Sequence, residues 1–385
     1  MIRIMHVTTG LTTGGAEMML LRLLSANNGD WDPAVVSLMD EGTIGSRIVA
    51  LGIPVYSLGM RRGRPDPVRA LSIVSLTRRV RPHLIVGWMY HGNLMASLAG
   101  AFSPTCVPVF WNIQQALDNI AGWGQLTAAV IRVGAYLSRY PAAIIYNTQV
   151  GAKQHEAFGY DARKRIIIPP GFDCQTFHPD DDARRQFRAE LGVSEDTVLI
   201  GLVARYHPMK DHTGFLRAAS IVARTHPNVL FLLLGKGITT EGQALTKLIG
   251  ELQLESRILL LGERTDMPRV TAVLDIACSA SAWGEGFSNA VGEAMACGIP
   301  CVVTDVGDSS YAVANTGLSV PPRDPQALAQ AIGRLIDAGA TARRQLGTAA
   351  RRRVESEFSL PAITGQYEDL YREHLNLRVS TVKSS

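Results

Sequence analysis

At 385 residues, with 46% hydrophobic and 19% charged residues, the chain can bury two α/β cores and is too apolar to be disordered. The longest apolar runs, 229–234 and 258–261, are far too short for a membrane span. The net charge of +4 is uneven: residues 1–170 hold 16 Lys and Arg against 9 Asp and Glu, the remainder 22 against 25.

Short β-branched runs alternate with helical patterns from the first residues, which predicts parallel sheets covered on both faces. In the first half, strands are expected at 2–8, 34–38, 55–57, 84–86, 107–111 and 143–146. Helical patterns fall between them, at 16–26, 68–80 and 126–138. The sequence opens directly on a strand, so no secretory leader is expected and a cytoplasmic setting is.

Arginines 61, 62, 64, 69, 78, 79 and 81 carry much of the first half's excess charge. They read either as a solvated face or as a surface for anionic lipid headgroups or a phosphorylated acceptor. Nucleic acid is set aside, because no aromatic interleaving or recognition motif accompanies them. Segment 123–140 places Trp123, Leu126, Val130, Val133 and Leu137 on related helical faces. It suits either a core-facing helix or peripheral contact with the inner membrane surface.

The join follows Ile166-Ile167-Ile168, where Pro169-Pro170-Gly171 turns the chain out of the first domain. The expected division is 1–170, with the closing helix of about 360–385 returning to it, and 171–359. A second strand series is predicted at 198–204, 229–234, 258–261, 276–277 and 300–303. Helices follow at 324–338, 341–357 and 360–375. Asp180-Asp181-Asp182 contains a DxD spacing but reads as a helix N-terminus favoured by the helix dipole. The five cysteines lack a CxxC pair or a completing His set, so they read as reduced, mostly buried residues. No metal or other cofactor is expected.

Three stretches can carry chemistry. The first strand runs into Gly10…Gly14-Gly15-Ala16-Glu17, which lacks the Lys-Ser/Thr of a P-loop and the GxGxxG of a nicotinamide site. A glycine pair opening a helix lets a ligand approach free N–H groups, and it also reads as a plain tight turn. The strand at 198–204 delivers Arg205 to its C-terminal edge, with Lys210 at the next helix start. Two cations there suit a diphosphate whose charge grows as it leaves a sugar. The third stretch is Glu285-Gly286-Phe287-Ser288-Asn289-Ala290-Val291-Gly292-Glu293. Its two glutamates lie about two helical turns apart, and residues 286–289 bring free N–H groups to a helix N-terminus.

Nearly the whole chain resembles the retaining glycosyltransferases of family 4, of GT-B fold, especially those acting on bacterial surface polysaccharides. The motifs that carry the resemblance begin with the Gly14–Glu17 turn and the Pro-Gly-Phe-Asp…Phe-x-Pro junction at 170–179. Arg205 with Lys210, Leu234-Gly235-Lys236-Gly237 and Leu261-Gly262 continue the series. The E-x7-E run, Gly317-Leu318…Pro321-Pro322-Arg323-Asp324 and Phe358-Ser359 complete it. The resemblance implies two Rossmann-like domains facing a cleft, with the C-terminal helix crossing back to the first.

It also implies the site. Arg205 and Lys210 would hold the donor diphosphate, with backbone N–H groups of Gly286, Phe287, Ser288 and Asn289. Glu285 would bind hydroxyls of the moving sugar and Glu293 the ribose. Gly262 and Arg264 would flank the base, and Gly14 and Gly15 would close over the phosphates. The partners would be a UDP- or GDP-sugar and a glycan or lipid-linked acceptor, with turnover independent of metal. Where many relatives place a sugar-contacting His, this chain has Asn112, Gln114 and Gln115. His91 and Asn93, in the stretch after another strand, are the remaining acceptor-side candidates. The alternatives are an epimerase or hydrolase of the same fold, or a nucleotide-sugar binder that has lost turnover.

Overall fold

The computed structural model describes residues 1–12, 14–27, 29–61, 63–64, 66–117 and 124–375. The chain divides into two compact units: Met1–Gly171 with the segment from Leu360 onward, and Phe172–Ser359.

The first unit is built in chain order from β1 (Ile2–Thr8), α1 (Gly15–Ser25), β2 (Trp31–Ser37), α2 (Gly42–Ala50), β3 (Val55–Ser57) and α3 (Pro67–Val80). It continues with β4 (Leu84–Trp88), α4 (Met89–Ala101), β5 (Val109–Ile113), α5 (Gln125–Leu137), β6 (Ala143–Tyr146), α6 (Gln149–Ala157) and β7 (Arg165–Ile167). These seven strands pair in parallel, in the order β3-β2-β1-β4-β5-β6-β7. Every residue of β4 and β6 is buried, because helices cover both faces of the sheet.

The second unit runs α7 (Asp181–Glu190), β8 (Val198–Val203), α8 (His212–Thr225), β9 (Val229–Leu234), α9 (Gln243–Glu251), β10 (Ile258–Leu260) and α10 (Met267–Ala272). Then come β11 (Ile276–Ser279), α11 (Asn289–Ala296), β12 (Cys301–Thr304), α12 (Ser309–Val313), β13 (Leu318–Val320), α13 (Pro325–Asp337) and α14 (Gly339–Arg353). Its six strands are parallel in the order β10-β9-β8-β11-β12-β13. The two ends of this unit lie side by side, with Phe172 N donating to Phe358 O at 2.8 Å. The last helix, α15 (Leu360–His374), packs Ile363, Tyr367, Leu370 and Tyr371 into the first unit's core with Ile4, Leu20 and Phe110.

Predicted strands and helices recur within a few residues of their expected bounds, with two differences. Residues 318–320 form β13, a three-residue edge strand whose middle residue, Ser319, is an exposed polar one. The stretch after β4 that holds His91 and Asn93, given no helix in the sequence reading, is the first turns of α4: Met89 takes φ 61° and the chain turns at once into a helix. Gly92 permits this, since a Cβ there would collide with the Val7 carbonyl. The expected helical residues 376–385 lie outside the described residues.

Asp180 accepts from Ala183 N at 2.8 Å as the N-cap of α7, and Asp182 pairs with Arg185. Cys278, Cys297 and Cys301 are buried; burial pushes the last two thiols up to about 12.

Candidate active site

The C-terminal edge of the second sheet gathers the strongest candidates. β8 ends at Val203, and the following loop is bound to its neighbours by Ala204 N to Leu234 O (2.9 Å) and Tyr206 N to Lys236 O (2.8 Å). Gly235 N donates in turn to Gly262 O at 2.8 Å. Gly235 lies against the Ala204 carbonyl at φ 141°, where no Cβ would fit. Three strand ends are thereby tied together, and Arg205 leaves this scaffold exposed.

A 3₁₀ turn, Pro208–Lys210, follows. Asp211, left-handed at φ 45°, caps α8 by accepting from Gly214 N at 2.9 Å. The turn is tied to the loop after β11 by Ala282 N donating to Met209 O at 2.8 Å. That bond brings Lys210 Nζ onto Glu285 Oε2 as an ion pair. Ser281 Oγ donates to the same carboxylate oxygen at 2.7 Å, and the Ser281 carbonyl accepts from Thr304 Oγ1 at 2.7 Å. Glu285 is 9% exposed, so it meets its partners in a desolvated setting where charge-assisted bonds are strong.

After Glu285 the chain turns through Gly286 and the buried Phe287 and Ser288 into α11. No acceptor among the described residues takes the N–H groups of Phe287, Ser288 or Asn289, and Ser288 makes no side-chain cap bond. This helix end presents unclaimed donors at the positive end of its dipole. Gly286 O is held by Asp308 N at 2.9 Å. Phe287 packs between Phe172 and Phe358, at centroid distances of 5.7 and 5.3 Å. Glu293 lies half-buried about one turn along α11.

Arg264 is held in a fork by Asp266, at 2.7 and 2.6 Å, and covers the Phe187 ring at 5.1 Å. In the first unit, Gly14 is the N-cap of α1 and Gly15 its first residue, but the Glu17 carboxylate folds back beside Gly14. Burial raises that carboxyl above its ordinary range, so an acidic group already stands at this helix end.

The acceptor-side amides are engaged internally. Asn93 Oδ1 accepts from Asn112 N at 3.3 Å. Asn112, 0% exposed, donates to Tyr367 OH at 2.9 Å and accepts from Gln114 Nε2. Asn112 thereby joins β5 to α15, and Asn93 joins α4 to β5. His91, half-buried in the first turn of α4, is held below the ordinary imidazole range by desolvation.

Sequence reasoning missed Ser281, which bonds the Glu285 carboxylate, and Thr304, which holds the Ser281 carbonyl. The available signal was the polar alternation of Ser279 and Ser281 at the strand end.

Residues 197–338 match the glycosyl transferases group 1 family, so the second unit carries a domain of that kind. The D-inositol 3-phosphate glycosyltransferase of Acidothermus cellulolyticus is 30% identical over 245 residues, 60% of this chain and 54% of that protein. The UDP-Gal:alpha-D-GlcNAc-diphosphoundecaprenol alpha-1,3-galactosyltransferase of Escherichia coli is 25% identical over 215 residues, 55% of this chain and 54% of that one. The chain thus spans about half the length of the curated relatives it matches. Among solved structures, Anabaena Alr3699/HepE in complex with UDP superposes with a TM-score of 0.84 at 22% identity, covering 97% of this chain and 100% of that one. That likeness establishes the GT-B fold.

Proposed function

We propose that this chain is a retaining glycosyltransferase of family 4, moving a sugar from a UDP- or GDP-sugar to a glycan or lipid-linked acceptor in surface-polysaccharide synthesis. The observation that carries the reading is the meeting of Lys210, Glu285 and the unclaimed N–H groups of Phe287–Asn289 at one strand edge, inside the matched domain. Relatives named for sugar transfer, one of them from UDP-Gal to a diphosphoundecaprenol-linked sugar, support it, as do the UDP-bound neighbours of the same fold.

In this reading Arg205 and Lys210 neutralise the departing diphosphate, and the N–H groups at the α11 N-terminus receive its β-phosphate. No metal is then needed for that charge. The bond from the anomeric carbon to the phosphate oxygen breaks while the acceptor hydroxyl bonds the same face of that carbon. The hydroxyl proton passes to the departing phosphate oxygen, so no separate protein base is required. Glu285, with Oε2 held by Lys210 and Ser281, offers Oε1 to sugar hydroxyls. Glu293 takes the ribose, and Gly262 with the Arg264 segment borders the base. Proximity and leaving-group stabilisation supply most of the rate enhancement. His91 is the acceptor-side group left open by the internal use of Asn93, Asn112 and Gln114.

Contact with an anionic membrane surface belongs to the same proposal. Leu126, Val133, Tyr136 and Tyr140 are exposed on and just after α5, and Arg139 lies 4.2 Å from the Tyr136 ring centroid. Val130 and Leu137 instead pack toward the core. Arg61 and Arg64 are exposed; Arg62 and Trp123 lie outside the described residues. Among the described residues no helix is long and apolar enough to cross a membrane, so attachment would be peripheral.

The test of donor binding is thermal unfolding with UDP, GDP and ADP and their glucose, galactose and mannose derivatives. One nucleotide class should raise Tm, and the matching sugar nucleotide should raise it further. No shift with any of them would overturn the reading. For the membrane, sedimentation with anionic vesicles should fall when Arg61 and Arg64 are changed to Glu; unchanged sedimentation would remove that part.

A further inference from the structure

Trp283 lies on the same sheet edge as the Lys210–Glu285 pair and has no role in the scheme above. It sits in the loop after β11, two residues before Glu285, and is 41% exposed. The loops that follow β11, β12 and β13 lie alongside one another. Asp308, after β12, donates its N–H to Gly286 O, and Gly307 presses against the Glu285 carbonyl. Arg323, after β13, reaches the outer side of this row and places its guanidinium carbon 5.3 Å from the Trp283 ring centroid, within cation–π range.

Two further features mark Arg323. Its backbone holds φ 59°, a left-handed conformation disfavoured for any residue with a Cβ. Its neighbour Asp324 is occupied as the N-cap of α13, accepting from Ala327 N at 2.9 Å. No carboxylate among the described residues pairs with Arg323, which is exposed. Pro321 and Pro322 stiffen the approach by fixing φ.

A guanidinium held on an indole keeps its in-plane N–H fork free. The pair thus presents a flat apolar surface beside a bidentate anion donor. A pyranose packs its C–H face on such a surface, and a carboxylate or phosphate on that pyranose fits the fork. We propose that Trp283 and Arg323 form a subsite for an anionic saccharide at the margin of the Glu285 edge. Identifying that saccharide as part of the acceptor rests on the sugar-transfer reading; the subsite itself does not.

Saturation-transfer NMR on the full chain with glucuronate, glucose 6-phosphate and glucose tests the subsite, with UDP affinity measured by calorimetry on the same samples. The first two sugars separate a carboxylate from a phosphate as the recognised group. At least one of them should bind about tenfold more tightly than glucose. Arg323→Gln should reduce that affinity to the level of glucose, Trp283→Leu should abolish binding of both, and UDP affinity should be unchanged. Absence of any preference over glucose would overturn the proposal, as would a preference that survives Arg323→Gln or Trp283→Leu. Displacement of the sugar by UDP would assign the signal to the donor site and overturn it too. If the sugar preference holds while no nucleotide binds, the transferase reading falls and the subsite stands.

Discussion

Lys210 and Glu285, 75 residues apart in sequence, meet because β8 and β11 are adjacent strands and Ala282 N ties their loops together. Removing the ammonium leaves a carboxylate that is 9% exposed with Ser281 as its remaining partner. Lys210→Ala should therefore lower both kcat and thermal stability, with a rate loss on the order of 100-fold or more. Adding Glu285→Gln to that variant removes the uncompensated charge and should restore much of the lost Tm without restoring turnover. Kinetics and unfolding curves on the two variants check this; recovery of rate along with stability would mean the pair is structural. The same edge was legible in the sequence as Arg205, Lys210 and the E-x7-E run. The ion pair and its Ser281 support were not, because strand adjacency decides which loops touch.

At the scale of elements, α11 is seated by an aromatic cluster at the unit's two ends. Gly292 faces Phe172 so closely that a Cβ would overlap the ring. Gly292→Ala should destabilise the second unit by about 1–3 kcal/mol, and Phe172→Leu in the same chain should relieve part of that cost by making room. Paired unfolding measurements test this, and strictly additive losses would contradict it. In the first unit, α15 is joined to β5 by Tyr367 OH and Asn112 Nδ2. Tyr367→Phe deprives a fully buried amide of its acceptor and should cost about 1–3 kcal/mol, read as a lower urea midpoint at unchanged slope. Amphipathic spacing made α15 visible in sequence. That the amides after 111 serve this helix was not, since an amide's chemistry suits a sugar and a tyrosine equally.

At the scale of the whole molecule, three histidines are buried and held neutral by desolvation. His6, which accepts from Trp88 Nε1 at 3.1 Å, is held near about 3. His155 in the first unit and His212 in the second are held near about 4. Their folded values lie below the unfolded value of about 6.5, so the unfolded chain binds more protons as pH falls. Their stabilising contribution is complete above about pH 6.5. It is lost progressively as pH drops toward 4, at about 1.4 kcal/mol per pH unit for each group. Thermal unfolding should show a clear fall in Tm between pH 7 and pH 5, and His155→Gln should flatten that fall; a Tm level across this range would contradict the assignment.

Alternating β-branched runs and helical spacing, with glycines and prolines at the turns, set two parallel-sheet cores and most of their elements from the sequence alone, because burial on both faces leaves a strong local pattern. They also marked the edge where Lys210 and Glu285 meet, since strand ends fix which residues reach it. Tertiary structure decided which partners each group meets. It paired Lys210 with Glu285, held Arg264 against Asp266, placed Glu17 beside the α1 N-terminus, and gave Asn93, Asn112 and Gln114 to internal bonds. Lys210 and Tyr367, partners of Glu285 and Asn112, lie 75 and 255 residues away from them in sequence, and no local pattern encodes that strand and helix packing brings them together.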